Sequence, residues 1–257
     1  MLVFPPLSIP YLMIWCFIQS SDQHLILIDK LHMFIIQMGV GSVNLIVGVC
    51  FTKREGSAVH SLTETTLHHI DTENPIHPNK YEKVIWITAK LIKDLNGDNS
   101  IRCFGFGDGI AFSSLLKKVS YDVIIRKAIC LASETSDRHH VLVIIASEPV
   151  SRSSDTRRGL SDEEQRTLDA IAIARNYRLS IVLVSVGETN QNMMRELRKK
   201  IPSSDYVTVR MQQCYFVDYT RIMLTDKPLQ TRNRDFCLAV FGNLPREIPE
   251  RLHALIR

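Results

Sequence analysis

The sequence lacks the closely spaced cysteines that a zinc-binding module requires. Its six cysteines, at positions 16, 50, 103, 130, 214 and 237, include no CxxC pair, and several lie within apolar runs. A zinc finger or a RING domain needs paired Cys and His ligands at short spacing, and no such array is present. We therefore expect buried free thiols in a reducing compartment, the cytoplasm or the nucleus.

The sequence also lacks a concentration of charge of one sign. The net charge is only +4, and basic residues are interleaved with acids, as in the segment 195–200. A nucleic-acid-binding protein usually gathers its Lys and Arg side chains on one face. The interleaved pattern is typical of a solvated helix surface, so we expect no nucleic-acid partner.

A complete membrane or secretory signal is missing near the N-terminus. Residues 1–18 are strongly apolar, but no basic residue precedes them and Pro5, Pro6 and Pro10 interrupt them. A signal peptide needs a positive first region, and a membrane span needs about 20 uninterrupted apolar residues. We therefore separate an apolar segment of unassigned role, residues 1–20, from a domain over 21–257. Anchoring to a membrane through residues 2–18 stays open as an alternative, which deletion of the first 20 residues tests.

Short apolar runs alternate with amphipathic segments from Ser21 onward, without an internal repeat. Strands are predicted over residues 44–50, 101–108, 140–146, 180–187 and 215–218. Helices are predicted from Ser21 to before Gly39 and over residues 81–92, 121–133, 161–174, 190–200, 231–241 and 246–256, with Ser161 and Glu164 as a capping box. Apolar strands that alternate with helices predict an α/β fold, with a doubly wound, mostly parallel sheet flanked by helices.

Several segments carry a resemblance to a known family. They include Asn44–Val49 followed by Phe51–Lys53, parts of the segment 61–82, the runs Cys103–Asp108 and His140–Ala146, and the segments 180–187 and 193–196. With these segments in place, the chain resembles the copine-type von Willebrand factor A domain, and in particular that of plant RING domain E3 ubiquitin ligases. The resemblance implies a Rossmann-type fold with an internal deletion, because the family has several tens more residues between Asp108 and Tyr121.

The resemblance also implies a metal-ion-dependent adhesion site, which this sequence does not preserve. The family binds Mg²⁺ through a D-x-S/T-x-S motif after the first strand, a distant Thr and a later Asp, because a hard cation prefers carboxylate and hydroxyl oxygens. Cys50 and Ser147 stand at the two aspartate positions, and Thr52 keeps a hydroxyl. Arg54 stands where the family has Ser, and a guanidinium beside a divalent cation costs several kcal/mol, on the order of Coulomb repulsion at short range. We therefore predict a degenerate site without a bound metal or other cofactor.

Two acidic residues are the candidates to replace the missing carboxylates. Asp108 follows the second strand and Glu148 follows the third, so both are expected near the same edge of the sheet. If neither binds a cation, Arg54 with the neighbouring Thr52 is the predicted partner-binding pair. The Arg54 guanidinium would donate two parallel hydrogen bonds to a partner carboxylate, as a bidentate fork.

Two other signals in the sequence have structural interpretations. Cys50 ends a strand near the expected crevice, but no His base is close to it in the sequence, so an inert thiol is favoured over a nucleophile. His68-His69 and His139-His140 are adjacent pairs rather than pairs four residues apart on one helix face. We expect them to be solvated or capping histidines rather than metal ligands.

These features together predict a non-catalytic protein-interaction module of copine type with no catalytic residue. The resemblance links it to protein ubiquitination, with ubiquitin-pathway proteins as expected partners and no membrane. Since no RING ligand array is present in the sequence, we expect no ligase activity from the chain alone. An alternative is a component of an E3 ubiquitin ligase whose RING is supplied in trans, which co-purification with a conjugating enzyme would favour.

Overall fold

The computed structural model describes residues 43–51, 78–92, 101–107, 119–135, 138–147, 149–151, 160–187 and 214–241. The apolar segment 1–20 and the helices predicted near residues 21–38, 190–200 and 246–256 lie outside these ranges. The described strands are β1 (Val43–Cys50), β2 (Arg102–Phe106), β3 (His139–Ala146), β4 (Leu179–Ser185) and β5 (Cys214–Asp218). The described helices are α1 (Lys80–Ile92), α2 (Asp122–Glu134), α3 (Asp162–Ala174), α4 (Tyr219–Met223) and α5 (Leu229–Phe241).

The five strands form one sheet in the order β2-β1-β3-β4-β5, and every pairing among them is parallel. The predicted doubly wound α/β architecture is therefore confirmed. The order reverses direction between β1 and β3, because the chain first moves outward from β1 to β2 and then returns to β3. This reversal is the point at which open α/β sheets usually bind ligands.

The central strands are apolar throughout because helices cover both faces of the sheet. In β3 every residue after His139 is buried, and all seven residues of β4 are buried. Alternate side chains of each strand enter two different apolar layers. One layer packs against α1, α4 and α5, and the other packs against α2 and α3.

Helix α2 approaches β1 very closely at a glycine. A Cβ atom built on Gly48 would lie 2.6 Å from Cγ1 of Ile124. No side chain fits into this gap unless Ile124 moves, so the absence of a Cβ at position 48 allows α2 to lie directly on the first strand.

The helix ends follow the local sequence. Ser161 accepts a hydrogen bond from the backbone N–H of Glu164, and the Glu164 side chain accepts one from the backbone N–H of Ser161, which confirms the predicted capping box. Helix α4 was not predicted. Asp218 caps it by accepting a hydrogen bond from the N–H of Arg221 over 2.9 Å.

Within the part of the chain that the structure describes, no helix combines the length and the apolar character needed to cross a membrane.

Candidate functional site

The candidate site is a crevice at the carboxyl ends of β1 and β3, where the strand order reverses. Val49 pairs with Ile145 in the parallel register, so the next residues, Cys50 and Ala146, end their strands at the same level. Ser147 follows one residue later. The structure therefore brings the two predicted site residues that it describes, Cys50 and Ser147, to neighbouring strand ends.

Cys50 does not expose its thiol to the crevice. Its side chain is 2% exposed and lies in the apolar layer under α2 and α3. Cys50 pairs with Phe106 of β2, and the next backbone N–H, that of Phe51, donates to the carbonyl of Phe106 over 2.8 Å. This burial supports the structural interpretation of the thiol, because a nucleophile needs to reach a substrate.

Ser147 is half-buried, and the end of β4 packs against its backbone. The N–H of Val186 donates to the carbonyl of Ala146 over 3.1 Å. A Cβ atom built on Gly187 would lie 3.1 Å from the carbonyl oxygen of Ser147. A larger residue at position 187 would therefore push against the Ser147 backbone.

The loop after Ser147 is attached to the starts of α2 and α3. Ser151 exchanges hydrogen bonds with Val119, accepting from its N–H through Oγ over 2.6 Å and donating its own N–H to the Val119 carbonyl over 2.9 Å. The hydroxyl of Ser161, the capping residue of α3, donates to the Ser151 carbonyl. These bonds fix the wall of the crevice that follows β3.

A second group of hydroxyls joins α2 to α3 at the same end of the sheet. Thr167 donates to the carbonyl of Glu163 over 2.8 Å and accepts from the N–H of Tyr121 over 3.2 Å. The hydroxyl of Ser120 contacts Thr167 at 3.3 Å and a carboxylate oxygen of Asp122 at 2.7 Å. Sequence reasoning missed this group, because Ser120 and Thr167 are far apart in the chain and no local motif connects them.

Four of the predicted site residues lie outside the described residues: Thr52, Arg54, Asp108 and Glu148. Among the described residues, no group of three His, Cys, Asp or Glu side chains is arranged to hold a metal ion. The described donors of the crevice are a thiol inside an apolar layer and the hydroxyl of Ser147. Neither of these two side chains carries a carboxylate oxygen, the kind of ligand that Mg²⁺ prefers.

One expectation about histidines was wrong. His140 is neither solvated nor a cap, because it is 1% exposed at the amino end of β3. Its Nε2 lies 3.0 Å from Oγ1 of Thr135 and 3.1 Å from Nδ2 of Asn44, and Nε2 of His139 lies 2.9 Å from Oγ of Ser180. The physical reason is that β3 is covered on both faces, so His140 is buried beside polar neighbours, whereas His139 before it is half-buried. Both rings lie at the end of the sheet opposite the crevice.

Two other described thiols are poor nucleophiles. Burial raises the pKa of Cys103 on β2 from 9.0 to about 11, and burial raises the pKa of Cys237 on α5 from 9.0 to about 12. A thiol with such a pKa remains protonated at neutral pH, and the thiolate is the reactive form. Neither group supports covalent catalysis.

The fold is a doubly wound, Rossmann-like α/β domain, with its candidate binding site at the ends of β1 and β3. The family model described as Copine matches residues 66–121 and 114–256. The chain therefore belongs to the copine family, as the sequence resemblance predicted.

The curated relatives of the chain include plant ubiquitin ligases and nematode copines. The chain is 34% identical over 241 residues to the E3 ubiquitin-protein ligase RGLG2 of Arabidopsis thaliana, which covers 81% of this chain and 50% of that protein. It is 34% identical over 239 residues to RGLG1 of the same plant, covering 80% and 47%. It is 26% identical over 266 residues to Copine family protein 2 of Caenorhabditis elegans, covering 90% and 3%. The chain thus spans about half the length of the two ligases.

Proposed function

We propose that this protein is a non-catalytic interaction module of copine type that binds a protein partner without a metal ion and acts in protein ubiquitination. The observation that most supports this proposal is the position of Cys50. Its thiol lies in the apolar layer, at the strand end where the family has an aspartate. A thiol in that layer supplies no ligand for a hard cation.

The proposed link to ubiquitination rests on the relatives, which are named E3 ubiquitin-protein ligases. Partners in the ubiquitin pathway, and a location in the cytoplasm or the nucleus, are part of the proposal. The proposed contact residues are Arg54 and Thr52, with the Arg54 guanidinium donating hydrogen bonds to a partner carboxylate in place of the metal.

Metal independence is tested by isothermal calorimetry of Mg²⁺ and Mn²⁺ into the full chain, together with thermal melts. We expect no heat of binding and no change in Tm for the native protein. A triple variant, Cys50→Asp with Arg54→Ser and Ser147→Asp, restores the family's carboxylates and is expected to melt at a higher temperature when Mg²⁺ is added, because a bound ligand stabilises the folded state.

The matched control is Cys130→Asp, which adds a carboxylate at an exposed position of α2 and should show no response to Mg²⁺. Binding of Mg²⁺ by the native chain would contradict the proposal, because Asp108 or Glu148 would then have rebuilt the site. The measurement on the native chain does not depend on whether the triple variant folds.

The link to ubiquitination is tested in a reconstituted reaction with activating enzyme, conjugating enzyme, ubiquitin and ATP. We expect no ubiquitin transfer when this chain is the only added component. We expect a concentration-dependent change in the rate when the chain is added to a reaction that contains the Arabidopsis ligase RGLG2. Transfer by the chain alone would refute the non-catalytic proposal, and an unchanged rate would refute the link.

The role of Arg54 is tested with a flexible Gly–Ser peptide that carries one central Asp, followed by chemical-shift titration. Binding should persist in EDTA and be lost in Arg54→Ala. Equal binding by native protein and Arg54→Ala would refute the carboxylate fork.

A further inference from the structure

Strand β2 lies at one edge of the described sheet and is less deeply buried than the central strands. Within the described ranges, β2 forms a ladder with β1 and no other strand. All five of its residues are half-buried, whereas the central strands are almost completely buried. An edge strand offers a row of backbone donors and acceptors to which another extended segment can add.

The direction of the backbone groups of β2 follows from one hydrogen bond. The carbonyl of Phe106 accepts from the N–H of Phe51 and therefore points toward β1. Backbone groups alternate in direction along a strand, so the N–H and C=O groups of Phe104 also point toward β1. Cys103 and Gly105 then direct their N–H and C=O groups outward, away from the sheet.

The side chains beside this edge are cationic and aromatic. Because side chains alternate between the two faces of a strand, the face of β2 that carries α2 holds Arg102, Phe104 and Phe106. The ammonium of Lys127 on α2 lies 5.8 Å from the centroid of the Phe104 ring, within the range of a cation–π contact. The strand itself contains no acidic residue.

The acids of α2 do not neutralise this cationic surface. They are its first and last residues, Asp122 and Glu134, and Asp122 pairs with Arg126 at 3.9 Å. On the opposite face of β2 the alternating residues are Cys103 and Gly105, which carry no charge. The side chains of β2 itself are therefore basic and aromatic on one face and uncharged on the other.

We propose that the outer edge of β2 binds an extended acidic segment of a partner protein, which adds to the sheet as a further strand. Its backbone pairs with Cys103 and Gly105, its carboxylates face Arg102 and Lys127, and its alternate apolar side chains lie on the uncharged face. A second copy of this chain is the less favourable occupant, because β2 pairing with itself would bring two sets of Arg102 and Lys127 together.

The probe is a fluorescein-labelled peptide with the sequence Val-Glu-Val-Glu-Val-Glu-Val, compared with the same peptide carrying Lys in place of Glu. We expect the acidic peptide to bind the full chain and the basic peptide to bind at least about tenfold more weakly, since charge complementarity governs partner choice. Lys127→Glu should weaken binding of the acidic peptide about three- to tenfold. The matched control is Lys83→Glu, an equal charge change at an exposed position of α1.

Residue-resolved hydrogen exchange locates the bound peptide. In the saturated complex, the amides of Cys103 and Gly105 should exchange at least about tenfold more slowly, and the Phe104 amide should be unchanged because it already bonds β1. Equal binding of both peptides, or binding without protection of Cys103 and Gly105, would overturn the proposal. Protection of these amides in the free chain would also overturn the proposal. If that protection depends on protein concentration, a second copy of the chain pairs with β2. If it does not, another segment of the same chain pairs with β2.

Discussion

The two edge strands of the sheet differ in how deeply their side chains are buried. Three of the five residues of β5 are buried, and the chain turns directly into α4 and α5, which pack on one face of the sheet. There the ring centroids of Tyr219 and Phe236 lie 5.1 Å apart in an edge-on arrangement, and Phe236 is fully buried. All five residues of β2 are half-buried, and the Lys127 ammonium lies over the Phe104 ring. The deeper burial favours a mainly structural role for the β5 edge, whereas the β2 edge keeps exposed surface on which the proposed segment can bind.

Replacing one phenyl ring at each edge should give the largest contrast. We expect Phe236→Ala to lower the free energy of unfolding by about 3–5 kcal/mol, because it opens a cavity in a closed layer. Phe104→Ala should cost about 1–2 kcal/mol, since its ring is already half in contact with solvent. Denaturant unfolding monitored by circular dichroism measures both. Equal costs of the two substitutions would contradict the conclusion that the β5 edge is more deeply buried than the β2 edge.

A thiol at each edge provides a second contrast, in alkaline solution. Burial raises the pKa of Cys237 near β5 to about 12 and that of Cys103 on β2 to about 11, from 9.0 in both cases. The folded state holds these protons more tightly than the unfolded state. The resulting stability is complete below pH 9 and is lost as the pH rises toward 11 for Cys103 and 12 for Cys237.

We expect ionisation of Cys237 to lower the free energy of unfolding by about 2–4 kcal/mol, since a tenfold difference in proton affinity is worth about 1.4 kcal/mol. The decrease caused by ionisation of Cys103 should be smaller. Unfolding free energies between pH 8 and 11.5 measure the slope. Cys237→Ala should flatten this slope more than Cys103→Ala. A larger effect of Cys103→Ala than of Cys237→Ala would contradict the expected difference between the two edges.

Surface charges should give the smallest contrast between the edges. Near β5, Lys227 pairs with Asp235 at 2.6 Å, and this neighbouring ammonium lowers the pKa of Asp235. Near β2, Lys127 faces an aromatic ring instead of an acid. Lys227→Ala and Lys127→Ala should each cost less than about 1 kcal/mol. Thermal melts should show that salt reduces the Lys227 effect, and an effect of several kcal/mol at either site would contradict the solvated character of both.

Much of the fold was predictable from the sequence because its strands are buried on both faces. A continuous apolar run such as residues 140–146 marks a central parallel strand without any information from distant residues. Each predicted strand and helix within the described ranges lies within two residues of its observed bounds. Helix α4 was missed because its five residues, Tyr219–Met223, are too few to show a helical period and follow the capping Asp218 directly.

The candidate site was less predictable than the fold. The sequence placed Cys50 and Ser147 at strand ends, because strand ends are where apolar runs stop. The burial of the Cys50 thiol under α2 and α3, and the burial of His140 beside Asn44, depend on helices and strands that are distant in sequence. Periodicity reports which face of an element is apolar, but it does not report which element covers that face.

The close contact between Gly48 and Ile124 also constrains how this protein family can vary. The two positions share one fixed volume, since a Cβ at 48 would lie 2.6 Å from the Ile124 side chain. A relative with Ala or Ser at the first position is therefore expected to carry Ala at the second, because Val would keep the γ carbon that lies closest, and the two substitutions should rescue one another when combined. Such a pair of compensating residues would be a lineage marker that is independent of the metal-binding motif.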